Sequence, residues 1–235
     1  MYAERLRETL PEVRASIRRA CDRAGRDPDD VTLVAVTKSH PFEAIRAALD
    51  AGLTDLGENR VGELEDKVEH FGHPEGVRWH MIGSIQSRKA SRLPGVADLV
   101  QSVGRLKVGR KLAAAADHES PVSVLAQVNT SGEDAKGGFE GDRVVEGILE
   151  LAEFDELRVE GLMTMAPFVD DEAVLRRTFR RLRETLEDVR HHRPQVGDTL
   201  SMGMTNDVGI AVEEGSTMVR IGTALFGERP GYEPE

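Results

Sequence analysis

Hydrophobic residues along the chain fall into two alternating patterns. Short, nearly continuous apolar runs predict eight β-strands, at residues 31–37, 54–57, 77–82, 97–102, 122–129, 157–163, 198–201 and 217–221. Between these runs, hydrophobic residues recur every three or four positions, which predicts amphipathic helices. The clearest helix covers residues 171–191, where one apolar stripe is formed by Leu175, Phe179, Leu182, Leu186 and Val189.

The N-terminal segment has the same helical spacing before the first strand begins. Its apolar stripe consists of Leu6, Leu10, Val13 and Ile17. Pro11 falls within this stripe and indicates either a kink or the true start of the helix. Gly25, in the sequence AGR, predicts where the helix ends.

Eight strand–helix units joined by short turns predict a parallel sheet covered by helices. Such a sheet is either closed as a (β/α)8 TIM barrel or open and doubly wound, and eight units with one extra N-terminal helix favour the barrel. No proline- or serine-rich linker and no internal repeat interrupts the sequence, so we expect one domain over residues 1–235. In a barrel, functional residues lie where the strands end and the next loops begin.

The composition narrows the possible functions. Lys and Arg number 31 against 42 Asp and Glu, and the net charge of −11 disfavours nonspecific binding to nucleic acid. No apolar stretch approaches the ~20 residues that cross a bilayer. The charged N-terminus lacks the apolar region of a signal peptide, so we expect a cytoplasmic protein. The only cysteine, Cys21, excludes an intramolecular disulfide and a multi-cysteine zinc site; we interpret it as structural. His191 and His192 have no third ligand nearby and predict no metal site.

The loops after the last two strands favour a phosphate site. They read LSMGMTND (200–207) and MVRIGTALFG (218–227), and the corresponding loops of such barrels frequently bind phosphate through backbone N–H groups. Ser201 and Thr223 offer hydroxyl groups, while Gly203 and Gly222 let the backbone approach an anion closely. Either loop alone would be explained better by ordinary turns; it is the two together, at the expected strand ends, that favour a phosphate.

Two cationic side chains stand at strand ends. Strand periodicity places Arg220 on the same face as Met218, and a buried guanidinium needs a partner, either a carboxylate of the protein or a ligand atom. Lys38 follows the apolar run in VTLVAVTKSHP. A partly desolvated lysine has a lowered pKa and can form a Schiff base with an aldehyde, whereas a lysine on the rim can also simply extend its amine into water.

An amine facing phosphate donors suggests a ligand with both an aldehyde and a phosphate. Pyridoxal 5′-phosphate fits, and so does the sugar phosphate of a class I aldolase. Lys136, in the glycine-rich segment NTSGEDAKGG, is the second candidate for the amine. The remaining lysines lie in charged helical segments and are predicted to be solvated surface residues: Lys67, Lys89, Lys107 and Lys111.

Blocks of sequence along the whole chain resemble the pyridoxal-phosphate homeostasis protein family, single-domain relatives of the alanine-racemase barrel. They are LVAVTKSHP, GLTDLGENRVGE, WHMIGSIQSRK, QVNTSGEDAKGG, GLMTM, LSMGMTND and EEGSTMVRIGTALFGER. The resemblance implies an alanine-racemase-like barrel that binds pyridoxal phosphate as an aldimine on Lys38, with Arg220 facing the ring nitrogen. It further implies that the phosphate is bound by Ser201, Gly222 and Thr223 and that Asn59 lies close to the cofactor. The chain departs from the family at Arg60, Ser84 and Arg88, where Tyr, His and Asn are frequent.

The resemblance also implies a carrier that buffers pyridoxal phosphate and delivers it to apo-enzymes, with indirect effects on amino-acid and keto-acid balance. Racemisation needs two bases, and the second base of alanine racemase is a tyrosine from a C-terminal β-domain of another subunit. The tyrosines here, Tyr2 and Tyr232, lie near the termini, and we expect His80 to be a satisfied core or rim histidine. Without a second domain to complete the site, we expect a monomer. A weakly active racemase or lyase and a class I aldolase remain the alternatives.

Overall fold

A computed structural model of the protein describes residues 1–133 and 137–228. Eight parallel strands close into a barrel in chain order, and the last strand pairs with the first. All eight predicted strands are present, with ends within two residues of those predicted, which confirms the closed TIM barrel. The strands are β1 (Thr32–Val36), β2 (Asp55–Glu58), β3 (Arg78–Met81), β4 (Leu99–Val103), β5 (Val122–Gln127), β6 (Leu157–Met163), β7 (Thr199–Ser201) and β8 (Met218–Ile221).

Helices cover the outside of the barrel. They are α1 (Tyr2–Ala24), α2 (Phe42–Asp50), α3 (Val61–Phe71), α4 (Leu106–Ala113), α5 (Val144–Leu151), α6 (Glu172–His192), α7 (Val208–Glu213) and α8 (Thr223–Phe226). The predicted apolar stripe of α6 is buried along its whole length. The third crossover, from β3 to β4, contains only a short 3₁₀-helix at Ala90–Arg92.

The N-terminal helix α1 begins at Tyr2 and continues through Pro11, so the proline is not the start of the helix. Its predicted stripe of Leu6, Leu10, Val13 and Ile17 is buried. Gly25 ends the helix in the left-handed conformation, with φ of 65°, which glycine adopts without strain. The helix packs against α2, α7 and α8 and thereby covers the junction between the last and first strands.

The strands separate two apolar regions. Outward-facing residues such as Ala35 and Leu56 belong to the main core between the strands and the helices. Inside the barrel, residues from five strands form a smaller cluster: Val34, Leu99, Leu125, Met163 and Met218. Buried polar side chains accompany this cluster, and they lead to the carboxyl ends of the strands, which we call the barrel mouth.

The described part of the chain bears on the roles of the cysteine, of metal ligands and of membrane-spanning helices. Cys21 is buried in α1, and desolvation raises the pKa of its thiol, as suits a structural residue. Among residues 1–133 and 137–228, no group of three or more His, Cys, Asp or Glu side chains is arranged to hold a metal ion. Within the same residues, no helix combines the length and apolar character that a membrane span requires.

Candidate functional site

All six residues predicted to bind a cofactor lie at the mouth end of four consecutive strands, β7, β8, β1 and β2. Val36 of β1 pairs with Gly57 of β2, so the residues that follow these two strands lie side by side. The third residue of β1, Val34, pairs with Arg220 of β8. The barrel therefore collects in one place Lys38, Asn59, Ser201, Arg220, Gly222 and Thr223.

Lys38 lies at the rim of the mouth and is half-buried. Side chains alternate along β1, with Val34 in the interior cluster and Ala35 in the outer core. The same alternation continued beyond the strand places Thr37 outside and Lys38 over the mouth. The segment then turns sharply, and Ser39 has a φ of 61°. The lysine thus follows an apolar strand at a position on the mouth side of β1.

Arg220 is almost completely buried, with 5% of its surface exposed. Its Nη1 donates a hydrogen bond to Ser201 Oγ at 2.6 Å, and Nη2 donates to the carbonyl oxygen of Thr164 at 2.8 Å. Both acceptors are neutral. Burial lowers the pKa of Arg220 to about 10, and the negative charge of Asp207 opposes this effect. The guanidinium therefore stays protonated at neutral pH, and both of its hydrogen-bond acceptors are uncharged.

A chain of hydrogen bonds crosses the barrel interior beneath Arg220. Ser201 Oγ donates to Gln101 Oε1 at 2.6 Å, Gln101 Nε2 lies 2.8 Å from His80 Nδ1, and His80 Nε2 lies 2.9 Å from Asp55 Oδ1. The amide of Gln101 can only donate to Nδ1, so the proton of His80 is assigned to Nε2, facing Asp55. His80 is fully buried with both nitrogens engaged, which confirms the prediction of a satisfied core histidine.

The phosphate-type loops have different roles in the structure. Thr223 is exposed at the start of α8, and Gly222 is the N-cap of that four-residue helix, directly after β8. Gly203 has a φ of 99°, and a Cβ there would lie 2.6 Å from the Cβ of Ala211 in α7. Gly203 is thus explained by the backbone turn and by packing, the alternative that the sequence left open for these loops.

Asn59 is half-buried directly after β2. Its backbone is held by the loop that follows β3, where a Cβ on Gly83 would lie 2.1 Å from the carbonyl oxygen of Asn59. Ser102 Oγ in turn donates a hydrogen bond of 2.6 Å to the carbonyl oxygen of Gly83. Only glycine fits at this contact, so Gly83 allows the loop after β3 to pack directly against the backbone of Asn59.

The prediction for Lys67 is wrong. Lys67 is 2% exposed, and its Nζ donates to Glu58 Oε1 at 2.7 Å, to Glu63 Oε1 at 2.9 Å and to the carbonyl oxygen of Thr37 at 2.9 Å. It is buried because Val61, Leu64 and Lys67 step by three along one face of α3, and that face packs on the barrel. This spacing was readable in the sequence, as was Glu63 four residues before Lys67.

Glu58 is the buried carboxylate that Lys67 contacts, and it also contacts Thr37. Its Oε1 accepts hydrogen bonds from Lys67 and, at 2.5 Å, from the hydroxyl of Thr37. Its Oε2 is buried without a hydrogen-bond partner. Desolvation raises the pKa of Glu58 to about 7, although the charge of Lys67 acts in the opposite direction.

Other residues complete the comparison with the sequence. Lys136, the second candidate for the amine, lies outside the described residues. The departures from the family at Arg60, Ser84 and Arg88 are all exposed, so they alter the surface around the mouth. The sequence reasoning did not find Gln101, although a glutamine within LVQSV is an unusual polar residue in a buried strand. It also missed the carbonyl of Thr164, for which no side-chain signal exists.

A closed barrel with an extra leading helix, a rim lysine after β1 and a buried arginine in β8 defines a protein of the alanine-racemase barrel class. The family model described as "Alanine racemase, N-terminal domain" matches residues 9–230. The sequence is 39% identical over 228 residues to a protein from Vibrio alginolyticus named pyridoxal phosphate homeostasis protein, covering 95% of this chain and 97% of the relative. The chain belongs to the pyridoxal phosphate homeostasis protein family.

Solved structures agree with this assignment. A crystal structure of an unknown protein from Bifidobacterium adolescentis is 33% identical, covers 96% of each chain and superposes with a TM-score of 0.90. The structure of PipY from Synechococcus elongatus with PLP bound is 30% identical, covers 90% of this chain and 100% of its own, and has a TM-score of 0.79. The fold is therefore shared along nearly the whole length of these chains.

Proposed function

We propose that this protein binds pyridoxal 5′-phosphate, buffers it and hands it to other proteins without catalysing a reaction on it. The observation that carries the proposal is the convergence of a rim amine, Lys38, and a buried guanidinium, Arg220, at one end of the barrel. Support also comes from the relative named for pyridoxal phosphate homeostasis and from PipY, whose structure contains PLP.

The residues present fit this cofactor. A protonated guanidinium suits the ring nitrogen, and the hydroxyl and amides at the start of α8 suit a phosphate. We propose that Gly222 and Thr223 take the phosphate, that Ser201 assists them, and that Asn59 borders the ring. When bound, the cofactor supplies an aldehyde whose carbon bonds to Lys38 Nζ as a Schiff base, with the oxygen leaving as water.

The same residues favour a carrier over an enzyme. Arg220, whose pKa is about 10, donates its proton only weakly. A ring nitrogen that faces it stays unprotonated, which weakens the cofactor as an electron sink. His80 could have served as a second base, but both of its nitrogens are engaged by Asp55 and Gln101. The aldolase alternative is not favoured, because the similar proteins are one named for pyridoxal phosphate homeostasis and PipY, whose structure contains PLP.

The proposal extends to partners and to the state in which the protein acts. We propose that the protein acts as a monomer, because its six candidate residues lie together at the mouth of one barrel. We further propose that it acts in the cytoplasm and passes the cofactor directly to apo-enzymes that need it. Sedimentation of the loaded protein should give the mass of one chain. A stable dimer would require a different account of how the mouth opens to an acceptor.

The experiment is a spectrum of the purified protein with pyridoxal phosphate, followed by borohydride reduction and mapping of the modified lysine. We expect an absorbance band near the violet edge of the visible spectrum, and Lys38→Ala should abolish it. Lys107→Ala, on the exposed face of α4, should leave the band unchanged. The loaded protein should then activate an apo-enzyme. Amino-acid racemisation or cleavage by the loaded wild type that disappears in Lys38→Ala would overturn the carrier proposal.

A further inference from the structure

The peptide segment that carries Lys38 is held from outside the barrel by side chains of α3 and of the last residue of β2. The residue before it, Thr37, is bound twice: its hydroxyl donates to Glu58 Oε1 at 2.5 Å, and its carbonyl oxygen accepts from Lys67 Nζ at 2.9 Å. The residue after it, Ser39, donates its backbone N–H to Glu63 Oε1. The three side chains thus fix the backbone on both sides of Lys38 without occupying the mouth.

We propose that Glu58, Glu63 and Lys67 are positioning residues that hold the Thr37–Ser39 segment so that the Lys38 amine meets the aldehyde of the cofactor. The proposal rests on the function proposed above, because it gives Lys38 the role of bonding to that aldehyde. It gives a positioning role to three side chains that lie on the opposite side of β1 from the proposed cofactor site.

The energetics of the cluster argue against a purely stabilising ion pair. Glu58 is completely buried and Lys67 nearly so, and a buried ion pair of this kind frequently contributes less to stability than apolar residues of the same volume. Glu58 Oε2 is also buried without a partner, which is a further cost. An arrangement that sacrifices stability in this way is explained if its geometry serves the segment that it binds.

The backbone of the segment supports the same conclusion. Ser39 has a positive φ of 61°, a conformation that costs energy for residues other than glycine and persists only where the surroundings enforce it. Glu63 accepts the N–H of this residue, and Glu63 is itself held by Lys67 at 2.9 Å. Lys67 therefore links the contact before Lys38 to the contact after it.

The test compares Lys67→Met with Leu64→Ala, one turn earlier on the same buried face of α3. Both variants lose a buried contact, but only Lys67→Met removes the hydrogen bond to the carbonyl oxygen of Thr37. A double variant, Glu58→Gln/Lys67→Met, removes the buried charge that the single variant leaves unpaired. We expect the double variant to regain stability while Lys38 stays mispositioned, which separates folding from positioning.

Two measurements are made on each variant. Hydrogen exchange of the amides in residues 37–40, without cofactor, should accelerate at least about tenfold in both Lys67→Met variants relative to Leu64→Ala at matched stability. The rate at which borohydride traps pyridoxal phosphate on Lys38 should fall by a similar factor. Lys67→Arg, which retains a donor at this position, should recover part of that rate.

The outcomes distinguish the two proposals. Slower trapping and faster amide exchange, confined to the Lys67→Met variants, would support positioning. Trapping and exchange equal to those of Leu64→Ala would overturn it. If wild-type Lys38 is not trapped at all, the proposed function fails, and amide exchange then still decides whether Lys67 holds the segment.

Discussion

The guanidinium of Arg220 and the hydroxyl of Ser201 form a buried hydrogen bond of 2.6 Å at the mouth end of β7 and β8. The same hydroxyl donates its proton to Gln101. Ser201 therefore orients Arg220, and it can donate to a bound phosphate only by turning its proton away from Gln101. The serine that the resemblance assigns to phosphate binding also orients Arg220, the arginine proposed to face the ring nitrogen.

Ser201→Ala should lower both stability and cofactor affinity. The substitution leaves a guanidinium N–H and the carbonyl of the Gln101 amide without partners, which costs about 1–3 kcal/mol of unfolding free energy. The matched control is Ser216→Ala, because Ser216, between α7 and β8, is buried too and its hydroxyl donates to a backbone carbonyl, that of Met202 at 2.6 Å. Urea unfolding should show similar losses for both variants, while titration with pyridoxal phosphate should weaken only for Ser201→Ala. Equal affinities would remove Ser201 from the binding site.

Arg220→Met should change the spectrum of the bound cofactor without preventing its attachment to Lys38. Removing a charged hydrogen bond costs about 1.5–3 kcal/mol, which is roughly a 10- to 150-fold increase in Kd. The absorbance maximum should move because the ring nitrogen loses its charged neighbour, and borohydride should still label Lys38. Arg19→Met, at an exposed position of α1, is the control. An unchanged spectrum with unchanged affinity would argue against contact between Arg220 and the ring nitrogen.

Glu58 should make stability fall as the pH rises through neutrality. Burial raises the pKa of its carboxyl group to about 7, so between roughly pH 4.5 and pH 7 the folded protein keeps a proton that the unfolded chain has lost. The contribution of this group is fully present below the unfolded pKa and is lost as the pH rises through the folded one. Its slope reaches at most about 1.4 kcal/mol per pH unit.

The measurement for Glu58 is urea unfolding of wild type and Glu58→Gln at a series of pH values. The difference in unfolding free energy isolates this carboxyl from the other titrating groups. The wild type should lose stability relative to Glu58→Gln from pH 5 to about pH 7, and the difference should level off above pH 8. A difference that does not vary with pH would contradict a raised pKa.

Most of the fold was predictable because its signals are local. Eight apolar runs and the intervening helical stripes identify the barrel, and topology then requires that residues after neighbouring strands meet at the mouth. Lys38 and Arg220 could be found in this way, because Lys38 follows an apolar strand and Arg220 lies within one. The attachment of a cofactor to Lys38 remains a prediction.

What the sequence did not predict depends on contacts between distant segments. Gln101 links Ser201 to His80 across the barrel, a relationship that spans a hundred residues of sequence and leaves no periodic signal. Lys67 was misassigned because a lysine in a charged helix is usually solvated. The spacing along α3 indicates its burial, but the acceptors it meets on Thr37 and Glu58 lie on other segments and leave no signal in the helix.

Gly83→Ala should disturb the barrel mouth next to Asn59. The new Cβ would lie 2.1 Å from the carbonyl oxygen of Asn59 and 2.7 Å from its Cα. These are backbone atoms, so either the loop after β3 or Asn59 itself must move. We expect a loss of about 1–3 kcal/mol of unfolding free energy, together with weaker binding of pyridoxal phosphate.

Gly62→Ala is the matched control for this change. Gly62 lies in the first turn of α3, and a Cβ there would have no atom within 4 Å. Alanine in a helix should raise the unfolding free energy by about 0.5–1 kcal/mol and leave cofactor affinity unchanged. If Gly83→Ala binds pyridoxal phosphate as tightly as Gly62→Ala does, the position of the Asn59 backbone at the mouth does not affect binding. Asn59 would then be a structural neighbour of the cofactor site and not a part of it.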